Sequence, residues 1–172
     1  MSLFRFRFVD NRKQIKGLTS DAGRHYFGTM KEIVRYPGCF VCGEKNEIGL
    51  GARFYWDGRK ASCDIVADEK YCGYRHLFHG GIVATVLDEV MIKALLAEDQ
   101  FVVTAEMTIR FKKPVHTGDH LHCEGWLTEK RGTVYRTAGT VVNQDGETVA
   151  EATGKYVRPK GDLSGHLLES LE

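Results

Sequence analysis

Leu77-Phe78-His79-Gly80-Gly81-Ile82-Val83-Ala84-Thr85-Val86-Leu87-Asp88 joins a His-Gly-Gly turn to an apolar run that carries a carboxylate. From Ile82 to Leu96 the chain has neither Gly nor Pro, and the pattern predicts a helix of about four turns. On its projection Val83, Leu87, Val90, Met91, Ala94 and Leu95 form a broad apolar arc, and Ile82 and Val86 add apolar surface elsewhere. A helix this widely apolar must be enclosed by other elements.

The flanking segments supply them. Residues 50–56 and 60–67 are β-rich runs separated by Asp57-Gly58, a strong hairpin signal. Beyond the helix, residues 101–114, 119–130, 133–143 and 148–157 are four more, joined by turn signals at Thr117-Gly118, Arg131-Gly132 and Asp145-Gly146. The order β-β-α-β-β-β-β predicts an α+β domain in which an antiparallel sheet of about six strands curls around one long central helix. Ahead of it, Phe4, Phe6 and Phe8 alternate with Arg5 and Arg7 as a short strand or arm, and residues 20–36 have the pattern of a short helix stopped by Pro37-Gly38. The expected organisation is an accessory extension over 1–37, a domain over 38–160 and a tail over 161–172.

At 172 residues with 42% hydrophobic content, the chain can fill one core but not two. A net charge of +1, from 24 basic and 23 acidic residues, gives no electrostatic reason to expect nucleic acid or an anionic membrane as partner. Residues 1–35 are locally basic, with eight Lys or Arg against Asp10, Asp21 and Glu32. That suits either a solvated basic face or attraction of a phosphorylated ligand. With no run long enough to span a bilayer and no secretory h-region, the expected setting is cytoplasmic. Five scattered cysteines fit reduced thiols rather than a disulfide framework.

The chemistry concentrates at the quoted stretch. A helix N-terminus presents unpaired N–H groups and a positive dipole end, and Gly80 and Gly81 let a ligand carbonyl approach them, which makes an oxyanion site. Asp88 lies at the edge of the apolar arc, about 20° from Leu95, where partial burial would raise its basicity. It can attack a carbonyl carbon or take a proton from water, and its structural alternative is pairing with His79 or Thr85. Glu89, four residues before Lys93, has the spacing of an exposed helical ion pair. In the next strand, Phe101, Val103, Ala105, Met107, Ile109 and Phe111 alternate with a polar set that includes Thr104, Glu106, Thr108, Arg110 and Lys112. Thr104 is placed to orient a carboxylate or water, and Arg110, Lys112 and Lys113 to meet ligand phosphates. Cys39-x-x-Cys42 reads as a loop, with half a zinc site or a redox pair as alternatives and His120 and His122 as conceivable further ligands.

His79-Gly80-Gly81 followed by Asp88, the run Val103 to Val115, Gly118-Asp119, and Cys39-Phe40-Val41-Cys42-Gly43 with Gly49-Leu50 together resemble the PaaI-like thioesterases of the hotdog superfamily. The resemblance covers about residues 38–158. It implies a hotdog fold and hydrolysis of acyl-coenzyme A without metal or other cofactor. Asp88 would be nucleophile or general base, a Gly80 or Gly81 N–H the oxyanion donor, His79 the group positioning the thioester, and Thr104 an aid to water. It also implies a homodimer, or a dimer of dimers, with the site at the dimer interface and with Asp88 and the Gly80-Gly81 end able to act from different subunits. Some members carry Asn or Gln six residues before the motif His, where this chain has Gly73. That departure keeps a non-catalytic acyl-coenzyme A binding or sensing module in view. A hotdog enoyl-coenzyme A hydratase fits less well, because the His-Gly-Gly arrangement argues against it.

Overall fold

The strand-forming runs and the apolar helix assemble into one sheet wrapped on one helix. The computed structural model describes residues 30–161 together with residues 165, 166, 169 and 170. Its elements are β1 (Lys31–Glu32), β2 (Tyr55–Trp56), β3 (Ala61–Val66), α1 (Gly80–Leu96), β4 (Val103–Phe111), β5 (His120–Arg131), β6 (Val134–Asn143) and β7 (Thr148–Val157). They form a seven-stranded sheet in the order β1-β2-β3-β5-β6-β7-β4, and every pairing is antiparallel. Among the described residues no helix is long and apolar enough to cross a membrane.

Helix and sheet touch through glycines. A Cβ on Gly125 of β5 would stand 2.6 Å from the Val90 carbonyl oxygen, and one on Gly139 of β6 would stand 3.1 Å from Met91 Cγ. These strand glycines therefore let the helix backbone settle onto the sheet. Leu87, Val90, Met91 and Leu95 on α1 are fully buried in one core with Tyr135 of β6 and Tyr156 of β7. Burying each aliphatic side chain contributes roughly 1.5–3 kcal/mol. The helix ends where Asp99 takes a left-handed conformation at φ 58° and Gln100 N–H closes back on the Leu95 carbonyl at 3.0 Å.

Four local expectations are corrected. The helix pattern over 20–36 does not hold for its described part, where Lys31–Glu32 is a strand paired with β2; the Phe4 to Phe8 arm lies outside the described residues. β2 is shorter than 50–56 because Leu50 and Ala52 donate to the carbonyls of Phe40 and Val41, and Ile33 donates to that of Phe54, at 2.8 Å each. Backbone groups already paired with that loop cannot extend the β2–β3 ladder.

The Glu89–Lys93 pair is internal, not exposed. The Lys93 side chain is 0% accessible and that of Glu89 14%. The loop from Val34 to Cys42 covers them, and the Val34 carbonyl accepts from Lys93 Nζ at 2.5 Å.

The fourth correction concerns β4. Its register against β7 shifts between Thr104 and Glu106, so that Thr104 opposes Tyr156 while Met107, Ile109 and Phe111 oppose Gly154, Ala152 and Ala150. Ala105 is the extra residue of a β-bulge, and it reverses the alternation. Thr104 thus shares the helix-facing side with Met107 and Ile109, while Glu106, Thr108 and Arg110 face outward opposite Lys155, Thr153 and Glu151.

Candidate active site

His79 is the N-cap of α1. Its backbone is extended, and its Nδ1 accepts the Gly81 N–H at 2.8 Å. Because Nδ1 is an acceptor here, the ring proton sits on Nε2, which is left to donate outward. A Cβ on Gly81 would lie 2.9 Å from that Nδ1, so this glycine makes room for the cap. The Gly81 N–H is consequently spoken for, and Gly80 N–H is the donor with no intrachain partner among the described residues. Gly73 packs behind the ring, where a Cβ would come within 3.0 Å of His79 Cδ2.

Two turns along the helix, Asp88 is held by hydroxyls from both strands of the β4–β7 pair. Thr104 Oγ1 lies 3.0 Å from Asp88 Oδ1 and 3.2 Å from Oδ2, and Tyr156 donates its phenol to Oδ1 at 2.9 Å. The bulge at Ala105 turns Thr104 inward to make this contact. Tyr156 reaches it across Gly154, where a Cβ would stand 2.4 Å from the Tyr156 ring and 2.9 Å from Thr137 Oγ1. Burial, and then the negative charge of Asp88, push the Tyr156 phenol well above its ordinary value, so it stays a protonated donor. Asp88 does not pair with His79 or Thr85; the Thr85 hydroxyl donates to the Gly81 carbonyl at 2.8 Å. A half-buried carboxylate gripped by two hydroxyl donors is held in one orientation.

A cleft of about 320 Å³ opens at the N-terminus of α1, lined by Phe78, Gly80, Val83, Phe111, Lys112 and Lys113 among others. Lys112 pairs with Glu151 at 2.6 Å and Lys113 with Glu147 at 2.5 Å. Arg110 points away from the cleft, exposed and 3.9 Å from Glu151. The fold therefore brings Gly80, Lys112 and Lys113 together at one mouth, and Asp88 and Thr104 together deeper along the helix. His122 pairs with Asp64 at 2.8 Å and does not join Cys39 and Cys42, and Asp64 is the main cause of the raised pKa of its ring.

Residues 76–150 match the family profile of the thioesterase superfamily. The long helix on an antiparallel sheet is the hotdog fold. A search of curated proteins finds no match. Among solved structures, a thioesterase superfamily protein aligns with 23% identity and a TM-score of 0.67 over 70% of this chain and 60% of its own, so the chain spans less than two thirds of that protein. The E. coli PaaI protein from the phenylacetic acid degradation operon aligns with 24% identity and a TM-score of 0.61, over 63% of this chain and 84% of its own. A hypothetical thioesterase from Streptococcus pneumoniae TIGR4, solved with coenzyme A, aligns with 20% identity and a TM-score of 0.56, over 58% of this chain and 80% of its own.

Within this hotdog domain, sequence reasoning missed Tyr156. The residue ends a strand whose period-two pattern reads as core packing, and nothing local distinguishes a buried tyrosine from one aimed at a carboxylate. Gly154 two residues earlier was the available signal, since a glycine inside a strand marks a close approach.

Proposed function

We propose that the chain hydrolyses acyl-coenzyme A thioesters, with water as co-substrate and a free carboxylic acid and coenzyme A as products. The observation that carries this reading is the Asp88 carboxylate fixed by the hydroxyls of Thr104 and Tyr156, two turns below the unpaired Gly80 N–H. Eight helical residues, about 12 Å, separate Gly80 from Asp88 within one chain, so the Gly80 N–H of a second copy, reinforced by the positive end of its α1, would hold the thioester carbonyl oxygen beside Asp88 as negative charge develops on it. Asp88 would supply the electron pair. It either attacks the thioester carbon, giving an anhydride that water then opens, or takes the proton of a water that attacks directly. In both routes the C–S bond breaks, and the thiolate leaves and is protonated as coenzyme A. His79 Nε2–H is free to position the thioester, and Lys112 and Lys113 at the cleft mouth suit coenzyme A phosphates, with Arg110 available only from the outer face. No step calls for a metal or another cofactor.

The S. pneumoniae protein supports the reading. It has also been solved with an Asp changed to Ala and with a Thr sixteen residues further on changed to Ala, which is the Asp88 to Thr104 spacing. The proposal includes a cytoplasmic homodimer, or a dimer of dimers. Among the described residues nine-residue β4 pairs only with β7, and its other edge is a ladder that a second copy can extend beside Thr104.

The test is free-thiol release from a panel of aryl and medium-chain acyl-coenzyme A thioesters, comparing the wild type with Asp88→Asn and checking both folds by circular dichroism. Turnover by the wild type and its loss by about a hundredfold or more in the variant is expected. Binding of the panel without thiol release would replace the hydrolase with an acyl-coenzyme A binding or sensing module.

A further inference from the structure

On the far side of α1 from Asp88, Cys39 and Cys42 meet the buried Glu89–Lys93 pair. The tight turn Cys39 to Gly43 is closed by the Gly43 N–H on the Cys39 carbonyl at 2.9 Å. A Cβ on Gly43 would stand 2.4 Å from that same oxygen, so only glycine fits there. Cys39 Sγ receives the backbone N–H groups of Val41 at 3.3 Å and Cys42 at 3.5 Å, and it lies 3.9 Å from both Glu89 carboxylate oxygens. The two sulfurs and a Glu89 oxygen all fall within 4.8 Å of one another. Cys39 is half-buried, whereas Cys42 is 0% exposed.

We infer that Cys39 and Cys42 are a redox-active dithiol that exchanges with small-molecule disulfides. The two thiols are unequal in the sense that exchange requires. The hydrogen bond from the Cys42 thiol, opposed by burial and by the charge of Glu89 and aided by the backbone N–H donors, brings Cys39 from an ordinary 9 to about 6. The same hydrogen bond, with burial, pushes Cys42 far up. The half-buried sulfur, which receives two backbone N–H groups, is therefore the attacking one, and the fully buried Cys42 is the resolving one. In the reaction, Cys39 thiolate attacks one sulfur of RS–SR, the S–S bond breaks, and RS⁻ leaves and takes a proton from solvent. Cys42 then passes its proton to the Glu89 carboxylate and attacks Cys39 Sγ. The second RS⁻ departs with that proton, so dithiol plus RS–SR becomes the Cys39–Cys42 disulfide plus two RSH.

A divalent cation is the competing occupant of the same three groups. Against it stands Lys93 Nζ, 3.4 Å from Glu89 Oε1 and buried between the rings of Tyr36 and Phe54 at 5.4 and 5.7 Å. A metal there would face that ammonium across the shared carboxylate.

The experiment uses the full chain with Cys72→Ser, which removes the exposed thiol, reduced under anaerobic conditions and then equilibrated with oxidised and reduced glutathione. Peptide mapping by mass spectrometry is expected to show a Cys39–Cys42 disulfide, and adding Cys42→Ser is expected to trap glutathione on Cys39. Without any change at the pair, the alkylation rate of Cys39 should reach half its maximum near pH 6, below the ordinary cysteine value of 9. Cys39 and Cys42 remaining reduced throughout, or alkylation with the midpoint of an ordinary thiol, overturns the inference. So does stoichiometric zinc in the purified protein that blocks alkylation until it is chelated.

Discussion

Replacing Tyr156 by Phe removes one hydroxyl and nothing else from the grip on Asp88. The ring still fills its place over Gly154, so the fully buried packing is kept, and the Thr104 hydroxyl still reaches Asp88 at 3.0 Å. A hydrogen bond to a charged group contributes about 1.5–3 kcal/mol, and each 1.4 kcal/mol is roughly tenfold in rate. If Asp88 does the chemistry, kcat should therefore fall by about ten- to a hundredfold in Tyr156→Phe, with KM little changed because the phenol touches the carboxylate and not the ligand. Thr104→Ala should have a similar effect. The double variant should cost less than the two added together, since both hydroxyls act on one group. The assay is thiol release against acyl-coenzyme A concentration, with thermal melts confirming the fold. A folded Tyr156→Phe protein whose kcat is within twofold of wild type would refute this account of the site.

Gly125→Ala puts a methyl 2.6 Å from the Val90 carbonyl oxygen, backbone against side chain with no rotamer to yield, and should lower stability by about 1–3 kcal/mol or more in urea titration. Lys93→Met should destabilise by about 3 kcal/mol because it strands the Glu89 carboxylate, and Lys93→Met with Glu89→Gln should recover part of that, as read by the same titration. Alkaline pH should unfold the protein early. Burial and then Glu89 hold the Tyr36 phenol at about 12, and burial and then Asp88 raise that of Tyr156, against an ordinary 10. Raised phenols favour the fold fully below pH 10 and lose that contribution as pH climbs from 10 toward 12. Melting temperatures measured from pH 8 to 12 should show the fall, and Tyr156→Phe should show a shallower one; an unchanged slope would remove Tyr156 as a cause.

Periodicity alone determined most of the architecture. An uninterrupted apolar helix and four long alternating runs have few ways to hide their apolar faces, and the antiparallel sheet around α1 is the one adopted. The His79-Gly80-Gly81 turn and the helical place of Asp88 were legible because they rest on local backbone: a cap, an open N–H and a helical spacing. Tertiary structure decided what local pattern does not encode. Strict alternation put Thr104 beside Arg110, but one bulged residue at Ala105, set by the register against β7, turned it toward Asp88. Tyr156 joined that carboxylate from a strand some seventy residues away, at 2.9 Å. Glu89 and Lys93 kept their helical spacing, yet a loop from earlier in the chain covered them, because burial depends on what packs over a face and not on the face itself.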